Sequence, residues 1–487
     1  MSQRPGRRGG SGAVLLTASG ASFLAMLDST VTSLALPALL RDFPGASLPG
    51  LSWVISAYAV AFAALLAPAG RLADALGRRR VFVAGVVVFT VASLLCAVAP
   101  NLELLVACRV LQGIGAGAMM PTSLAILLHD CPPERRMLSI GLWSAAGALA
   151  AAVGPGFGGL LVHLLGWPAV FLVNLPFGVL FVVAALRLLE PSERSAARGL
   201  PDPLGALLLA VGIGAATLGV TTAETWGWTD PRTLFSLATG VLAVVAALRR
   251  SARHPVPAVD TGLFADRTFA AANVVALLYG VAQFAWLLAC VLFLTDRWGY
   301  TELEAGLAQT PGAVMAAVGA VVMGKVAARF GGPRFAILFG LAANSVSGVW
   351  LLVALSDEPA FLTLWLPVSI IGGAGMGAAI MGTSTAAAMS VPPSRFASGS
   401  AIVTTARTFG QALGVAALAV ILHAGAGPDG VADTPTYVTV FVFSTVLMAV
   451  SVVVTVARIR TGPPRQPGSG RPAGAGERTD EVHPANT

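Results

Sequence analysis

The sequence predicts an all-α integral membrane protein whose helices form two similar bundles. Of its 487 residues, 56% are hydrophobic and only 11% are charged, whereas about a quarter of the residues of a soluble domain are charged. Apolar runs of about 20 residues, the length that crosses a bilayer as a helix, recur along the whole chain. A third observation, an internal repeat described below, divides these helices into two halves.

The apolar runs predict fourteen membrane spans, which we number in chain order. Their predicted ranges are 14–36, 51–70, 81–98, 102–128, 138–161, 170–186, 204–221, 233–248, 269–294, 306–327, 335–355, 361–390, 397–423 and 437–456. The polar segment 1–13 is predicted to be a cytoplasmic tail. The Pro- and Gly-rich segment 460–487 is predicted to be a disordered cytoplasmic tail.

The distribution of basic residues predicts the orientation. With the N-terminus inside, Lys and Arg collect on the cytoplasmic loops, as the positive-inside rule requires. Of the 30 Lys and Arg residues, only Arg41, Arg232 and Arg297 fall outside, and Arg109 and Arg407 lie within spans. An even number of spans with both termini in the cytoplasm, in the inner membrane of a bacterial cell, is therefore expected.

Charge and cysteine content exclude several functions. The net charge of +7 follows from the loop bias, so it indicates membrane topology and anionic lipids and does not predict a nucleic-acid partner. The four cysteines, Cys96, Cys108, Cys131 and Cys290, have no metal-binding or disulfide spacing. No metal and no bound cofactor is expected.

Two pairs of matching segments indicate an internal repeat. GRLADALGRRR, which begins at Gly70, matches GKVAARFGGPR from Gly324, although Ala328 stands opposite Asp74. GIGAGAMM from Gly113 matches GAGMGAAI from Gly373. The repeat predicts a six-helix bundle at 14–190, a second at 269–457, and two inserted helices at 203–250, with the bundles facing each other across a central cavity.

Span one contains an acid in an otherwise apolar run. A charge inside a membrane helix is costly and needs a partner or a function. Asp28 lies about 12 Å from the outer end of span one, and Arg109 lies about 10 Å from the outer start of span four, at 1.5 Å per residue. The two residues therefore lie at matched depth. Either they couple transport to proton uptake, or they form a fixed ion pair that joins two helices.

The loop after span two combines glycines, an acid and a basic cluster. Its glycines allow the helices to approach closely, and Asp74 can pair with an Arg or with the N-terminus of a neighbouring helix. Either these charges form contacts that hold the protein in one conformation, which we call a charge lock, or the segment is an ordinary basic loop. The predicted gating residues are Gly70, Arg71, Asp74, Gly77, Arg78 and Arg79.

Span five contains the segment AAVGPGFGG. Its proline removes a backbone hydrogen bond and its glycines allow close packing, so this span is expected to bend and slide. The motif residues are Gly154, Pro155, Gly156, Gly158 and Gly159. They fit a dinucleotide-binding pattern only formally, because no strand precedes them. The segment GAVVMGKV from Gly319 lacks the Ser or Thr of a nucleotide-binding loop, so ATP is not expected as the energy source.

These motifs together resemble those of the major facilitator superfamily, and in particular its fourteen-span drug:proton antiporter family. The resemblance covers most of the chain and rests on LDSTVTSLALP in span one, the loop from Gly70, RVLQGIGAG from Arg109, GPGFGG from Gly154, and the segments FLVNLPFG, WGW, LFADRTFA and TTARTFGQALG. It implies a major facilitator fold, a gating loop after span two, proton coupling in span four and antiport through span five.

The resemblance implies proton-coupled efflux of small amphipathic compounds, such as antibiotics or lipophilic cations, by a protein that can work as a monomer. Polar and aromatic residues are candidates for the substrate cavity: Tyr279, Gln283, Phe284, Trp286 and Arg407. Arg407 either faces the cavity and meets an anionic group or a carbonyl there, or packs between helices with its guanidinium bonded to backbone. The alternatives are a proton symporter on the same fold and a membrane-embedded enzyme, and the sequence lacks the clustered His, Asp or Cys that an enzyme needs.

Overall fold

Fourteen helices of the described chain are long and apolar enough to cross a membrane. The computed structural model describes residues 10–43, 48–189, 201–425 and 432–460. The expected terminal tails therefore lie mostly outside the described residues. Each predicted span corresponds to one of the fourteen helices, and most of the helices extend a few residues beyond the predicted range because their polar ends continue past the apolar run.

The first half of the chain contains six spans. Span one comprises Gly10–Val31, a 3-10 turn at Thr32–Ala35 and Leu36–Asp42. Spans two to six are, in order, Leu48–Leu76, Arg78–Ala97, Leu102–Asp130, Arg136–Leu165, and Pro168–Leu172 continued by Asn174–Leu188. Two further spans follow at Pro203–Trp226 and Pro231–Ser251.

The second half repeats the pattern. Spans nine to eleven are Arg267–Asp296, Glu302–Val326 and Pro333–Ala354. Span twelve begins as a π-helical turn at Phe361–Trp365 and continues as Leu366–Met389. Spans thirteen and fourteen are Phe396–Ala424 and Thr434–Arg458.

Local signals in the sequence define several helix ends. Asn101 accepts a hydrogen bond from the Leu104 amide at the start of span four, and Thr301 with Glu304 forms a capping box at the start of span ten. Such side chains satisfy amides that have no partner within the helix. Gly77 allows the abrupt turn between spans two and three because its φ of 102° is accessible to glycine at little cost.

The helices pack as two bundles with the same internal arrangement. In the first bundle, span one packs on span five, span three on spans four and six, and span two on span four. In the second, span nine packs on span thirteen, span eleven on spans twelve and fourteen, and span ten on span twelve. The bundles meet where span two packs on span thirteen and span five on span ten. The sequence repeat is therefore a structural repeat.

The inserted spans seven and eight pack on each other, and span seven also contacts spans two and thirteen. The carboxylate of Asp202 at the start of span seven receives two hydrogen bonds from Arg250 at the end of span eight, at 2.5 and 3.0 Å. We call the membrane side that carries these ends and the basic loops the inner side. Because the number of spans is even, both ends of the described chain lie on that side.

Candidate functional site

Asp28 lies inside the first bundle and is only 1% exposed. Its Oδ2 accepts a hydrogen bond from Arg109 Nη1 at 2.6 Å. Its Oδ1 accepts from Gln112 Nε2 and Asn174 Nδ2, both at 2.8 Å. Spans four and six therefore supply donors to both oxygens of an acid from span one. The predicted pairing of Asp28 with Arg109 is present in the structure.

Arg109 is fully buried and is held by more than its ion pair. Its Nε donates to the carbonyl oxygen of Val54 at 2.8 Å, and its Nη1 donates to Gln112 Oε1 at 2.6 Å. Its guanidinium lies over the ring of Tyr58, 4.3 Å from the centroid. These contacts fix the plane of the guanidinium, and a lysine would not reproduce them because only a planar fork can make them at once.

Two of the donors to Asp28, Gln112 and Asn174, were not predicted from the sequence. Gln112 follows Arg109 by one helical turn and also donates to Ser93 Oγ at 2.7 Å, and Asn174 stands in the segment FLVNLPFG. A polar residue one turn from a buried charge in an apolar helix is a usable signal, since i and i+3 share a helix face. The contribution of Asn174 depends on the packing of span six and has no comparable local signal.

The carboxylate of Asp28 is enclosed by protein groups, including side chains of spans four and six. Because the residue is only 1% exposed, its side chain does not contact acyl chains. A buried ion pair satisfied on both sides is costly to break. Water can therefore reach Asp28 only after a rearrangement that opens this part of the bundle.

The loop after span two connects the bundles at the inner side. Asp74 accepts hydrogen bonds from the backbone amide and the hydroxyl of Ser398, at 2.8 and 2.7 Å, and from the amide of Ala397 at 3.3 Å. These amides belong to the first turn of span thirteen, whose N-terminus carries a partial positive charge. Asp74 therefore caps a helix of the opposite bundle. The side chain of Asp74 is only 2% exposed.

Basic residues of the same loop complete the connection. Arg78 lies 3.4 Å from Asp74 and also donates to the carbonyl oxygen of Pro393, just before span thirteen. Arg71 Nε donates to the carbonyl oxygen of Pro257 at 3.0 Å, and Arg79 donates to that of Leu186 at 2.6 Å. Arg78 therefore contacts the second bundle, whereas Arg79 contacts span six of its own bundle.

Glycine is required where span two meets span thirteen of the opposite bundle. A Cβ on Gly70 would lie 2.4 Å from the Ala401 Cβ and 2.6 Å from the carbonyl oxygen of Ala397. Both atoms belong to span thirteen and cannot move independently of that helix. The inner halves of spans two and thirteen are therefore in direct contact, and the structure is closed at this point of the inner side.

The glycines of span five divide into two pairs. A Cβ on Gly154 would lie 2.1 Å from Thr30 Oγ1, and one on Gly158 would lie 2.6 Å from a methyl group of Val31. A Cβ on Gly156 or Gly159 would meet no atom within 4 Å. The first pair therefore forms the contact with span one. The helix continues without interruption through position 155.

The predicted cavity residues of span nine lie in different surroundings. Tyr279 is 2% exposed and donates to Gln283 Oε1 at 2.7 Å. Trp286 packs on Phe441 of span fourteen with ring centroids 4.9 Å apart. Tyr279 and Trp286 therefore take part in packing within the second bundle, while Phe284 is partly buried.

Arg407 lies in the central part of span thirteen and is partly buried. Its Nη1 is inaccessible to solvent and has no hydrogen-bond partner among the described residues. The backbone of this residue packs on Gly280 of span nine. The sequence left open whether Arg407 bonds to the protein, and the described contacts include no such bond.

A cavity of about 760 Å³ lies between spans two, three, four and seven. Its lining is largely apolar, with Arg71 and Arg80 at the inner end. It borders neither Asp28 nor Arg407. The acid–base network of the first bundle is therefore separate from this space.

Two repeated six-helix bundles that meet at the inner side, with a buried acid–base network in one of them, form the arrangement of a membrane transporter. The chain belongs to the major facilitator superfamily, whose model matches residues 18–295 and 272–483. It is 33% identical over 422 residues to the methylenomycin A resistance protein of Streptomyces coelicolor, covering 86% of this chain and 87% of that protein.

A second relative and one solved structure are also similar to this chain. The multidrug resistance protein Stp of Mycobacterium tuberculosis is 32% identical over 403 residues, which cover 82% of this chain and 74% of that protein. The crystal structure of the human organic anion transporter MFSD10 superimposes with a TM-score of 0.67 over 93% of this chain and all of that chain, at 17% identity. This last likeness shows the fold alone.

Proposed function

We propose that this protein exports small amphipathic compounds, such as antibiotics, from a bacterial cell in exchange for protons, by alternating access. The relatives named for antibiotic and multidrug resistance support drug efflux. In this proposal the inner side is the cytoplasm, both termini lie there, and the protein works as a monomer without ATP, nucleic acid or a bound cofactor.

The buried carboxylate of Asp28 is the observation that carries proton coupling. An acid inside a membrane helix is costly, and this acid is held in one orientation by three donor side chains from two other spans. Protonation would remove its charge and weaken its bond to Arg109. A change in protonation would thereby alter the packing of spans one, four and six.

The gate supports alternating access. Asp74 binds the first turn of span thirteen, so the inner ends of the bundles are held together by contacts that can break as a unit. We propose that breaking them opens the inner side, and that water reaches Asp28 during this rearrangement. The transmembrane potential contributes about 2.3 kcal/mol per charge per 100 mV to each proton that enters.

The decisive experiment distinguishes loss of proton coupling from loss of substrate binding. In a pump-deficient bacterial host, the wild-type protein should lower the accumulation of several members of a panel of antibiotics and fluorescent dyes, and collapse of the proton gradient should raise it. Asp28→Asn should lose this uphill export. In proteoliposomes without a gradient, the same variant should still exchange an exported compound across the membrane.

Two outcomes would contradict the proposal. Undiminished gradient-driven export by Asp28→Asn would remove this residue from coupling. A proton gradient that drives solutes into the cell would indicate a symporter. Asp42→Asn is the matched control, because Asp42 lies at the outer end of span one and accepts a hydrogen bond from Trp167 at 2.8 Å, outside the buried network.

A further inference from the structure

The second bundle contains a cation without a counter-charge. Its described acidic residues lie at the outer ends of spans or in the loops that join them: Asp296, Glu302, Glu304, Asp357, Glu358 and Asp433. Arg407 is the basic residue in the middle of a span there, about 17 Å along the helix axis from Phe396. Charges buried in proteins are normally paired, as Arg109 is in the first bundle.

The side chain of Arg407 does not use the protein to satisfy its charge. It makes no hydrogen bond or ion pair with any described residue, and its Nη1 is buried without a partner. The hydroxyl of Tyr279 on span nine donates its hydrogen bond to Gln283 Oε1 at 2.7 Å and not to Arg407, whose nitrogens are donors only. A packing arginine would be expected to donate to backbone carbonyl oxygens, and this guanidinium has five donors available.

Helix geometry places Arg407 at the junction of the bundles. On span thirteen, Gly410 and Gly414 pack on span nine, and Ala401 packs on span two of the opposite bundle. Ser400 lies between these two faces, and its hydroxyl is 3.4 Å from the carbonyl oxygen of Pro121 in span four. Arg407 lies two helical turns from both Ser400 and Gly414, so it lies where the face that packs on span nine meets the face turned towards the opposite bundle.

We propose that Arg407 binds an anionic group of the transported compound, so that the preferred cargo is an amphipathic carboxylate, sulfonate or phosphate and not a lipophilic cation. The guanidinium fork matches such groups and can bind them through two parallel hydrogen bonds. This inference rests on the proposed export function and specifies its substrate class.

The charge balance fits export. An anion that leaves the cell moves down a potential that is negative inside, and a proton that enters moves down the same potential. Exchange of one proton for one anion would therefore be driven by the membrane potential through both partners.

A binding measurement tests the inference directly. The probes are 1-pyrenebutyrate, which is anionic at pH 7, and 1-pyrenebutanol, which has the same ring system and chain but no charge. With the full chain in lipid nanodiscs, the wild type should bind the acid at least 10-fold more tightly than the alcohol. Arg407→Gln should abolish this preference, and its affinity for the alcohol should remain within 2-fold.

Two further variants serve as controls. Arg407→Lys should keep part of the preference, because the charge remains while the fork is lost, and its binding shows that the site is folded. Arg458→Gln removes an exposed arginine at the inner end of span fourteen and should behave as the wild type.

The inference is overturned if the wild type binds neither probe, if it binds the two equally or prefers the alcohol, or if Arg407→Gln weakens both to the same extent. These results are independent of proton coupling. Gradient-driven export of neutral or cationic compounds without a preference for the acid would refute the substrate class and leave the export function standing. A preference for the acid without gradient-driven export would refute the export function and leave the substrate class standing.

Discussion

At the scale of single residues, the first bundle depends on one network of mutually dependent polar groups. Asp28 is surrounded by donors, and Arg109 has acceptors on span one, span two and its own span. Each group is tolerated in an apolar bundle only because the others are present. Removing one partner therefore leaves the other buried and uncompensated.

A double-mutant cycle should reveal this dependence. Asp28→Leu or Arg109→Met alone should lower the free energy of unfolding by about 3 to 5 kcal/mol, because each leaves a buried group without its partner. The double variant should recover much of this loss, since two apolar side chains replace the pair. Thermal or chemical unfolding in detergent provides the measurement.

The same cycle distinguishes a structural pair from a coupling pair. If Asp28 and Arg109 only joined helices, the double variant would regain gradient-driven export together with stability. We expect it to regain stability alone. Additive losses in the cycle would show that the two side chains do not interact.

At the scale of helices and loops, the position of each glycine in the span-five motif determines whether it contacts span one. Gly154 and Gly158 lie on one face of span five, four residues apart, and meet span one there. Gly156 and Gly159 face open space. The GPGFGG motif therefore combines two kinds of position with different physical requirements.

Substitutions on the two faces of this motif should have different effects on stability. Gly158→Leu should destabilise the protein by about 1 to 3 kcal/mol, because its side chain would overlap Val31. Gly156→Ala should be neutral or stabilise by up to about 1 kcal/mol, since alanine is the better helix former and meets no neighbour. Melting temperatures of the two purified variants test this, and equal losses would contradict it.

The gate is a second feature at this scale. Asp74→Asn removes the negative charge from the first turn of span thirteen, an interaction of about 0.3 to 2 kcal/mol. The population open at the inner side should therefore rise, by up to about 30-fold. Distances between spin labels at the inner ends of spans two and thirteen provide the measurement.

Arg80→Gln is the matched control for the gate. It removes a charge from the same loop at an exposed position that lines the apolar cavity. Its distance distribution should match that of the wild type. If Asp74→Asn also left the distances unchanged, the loop would be an ordinary basic loop and not a lock.

At the scale of the whole molecule, the inserted spans are joined to both bundles through one segment at the inner side. The amide of Asp202 donates to the carbonyl oxygen of Val256 at 3.0 Å, and Arg71 of the first bundle donates to that of Pro257. Asp260 pairs with Arg395, which immediately precedes span thirteen. The segment after span eight therefore contacts both sides of the gate.

The ion pair of Asp202 with Arg250 should make stability depend on pH. The hydrogen bond from Arg250 lowers the pKa of Asp202 below its ordinary value. A lowered pKa in the folded protein stabilises it above about pH 4, where the unfolded chain is ionised, and this contribution is lost as the pH falls through the lowered value.

Asp202→Asn should therefore lower the melting temperature at pH 7, by about 1 to 3 °C. The difference from the wild type should shrink between pH 4 and pH 2, because the wild-type carboxyl group becomes protonated there. A difference that stays constant with pH would show that the charge of Asp202 does not contribute.

By itself, the sequence determined the membrane class, the fourteen spans and the repeat, because span length and apolar periodicity are local properties that the bilayer enforces. It also placed Asp28 and Arg109 at matched depth, since depth follows from counting residues along a helix. It identified the loop from Gly70 by its composition. These predictions need no knowledge of which helices are neighbours.

Only the tertiary structure decided which groups meet. The donation by Asn174 to Asp28, the capping of span thirteen by Asp74, and the lack of a partner for Arg407 all depend on the packing of helices that are distant in sequence. The surroundings of the candidate cavity residues of span nine also depend on this packing. A helical pattern shows which residues share a face but not which neighbour covers that face.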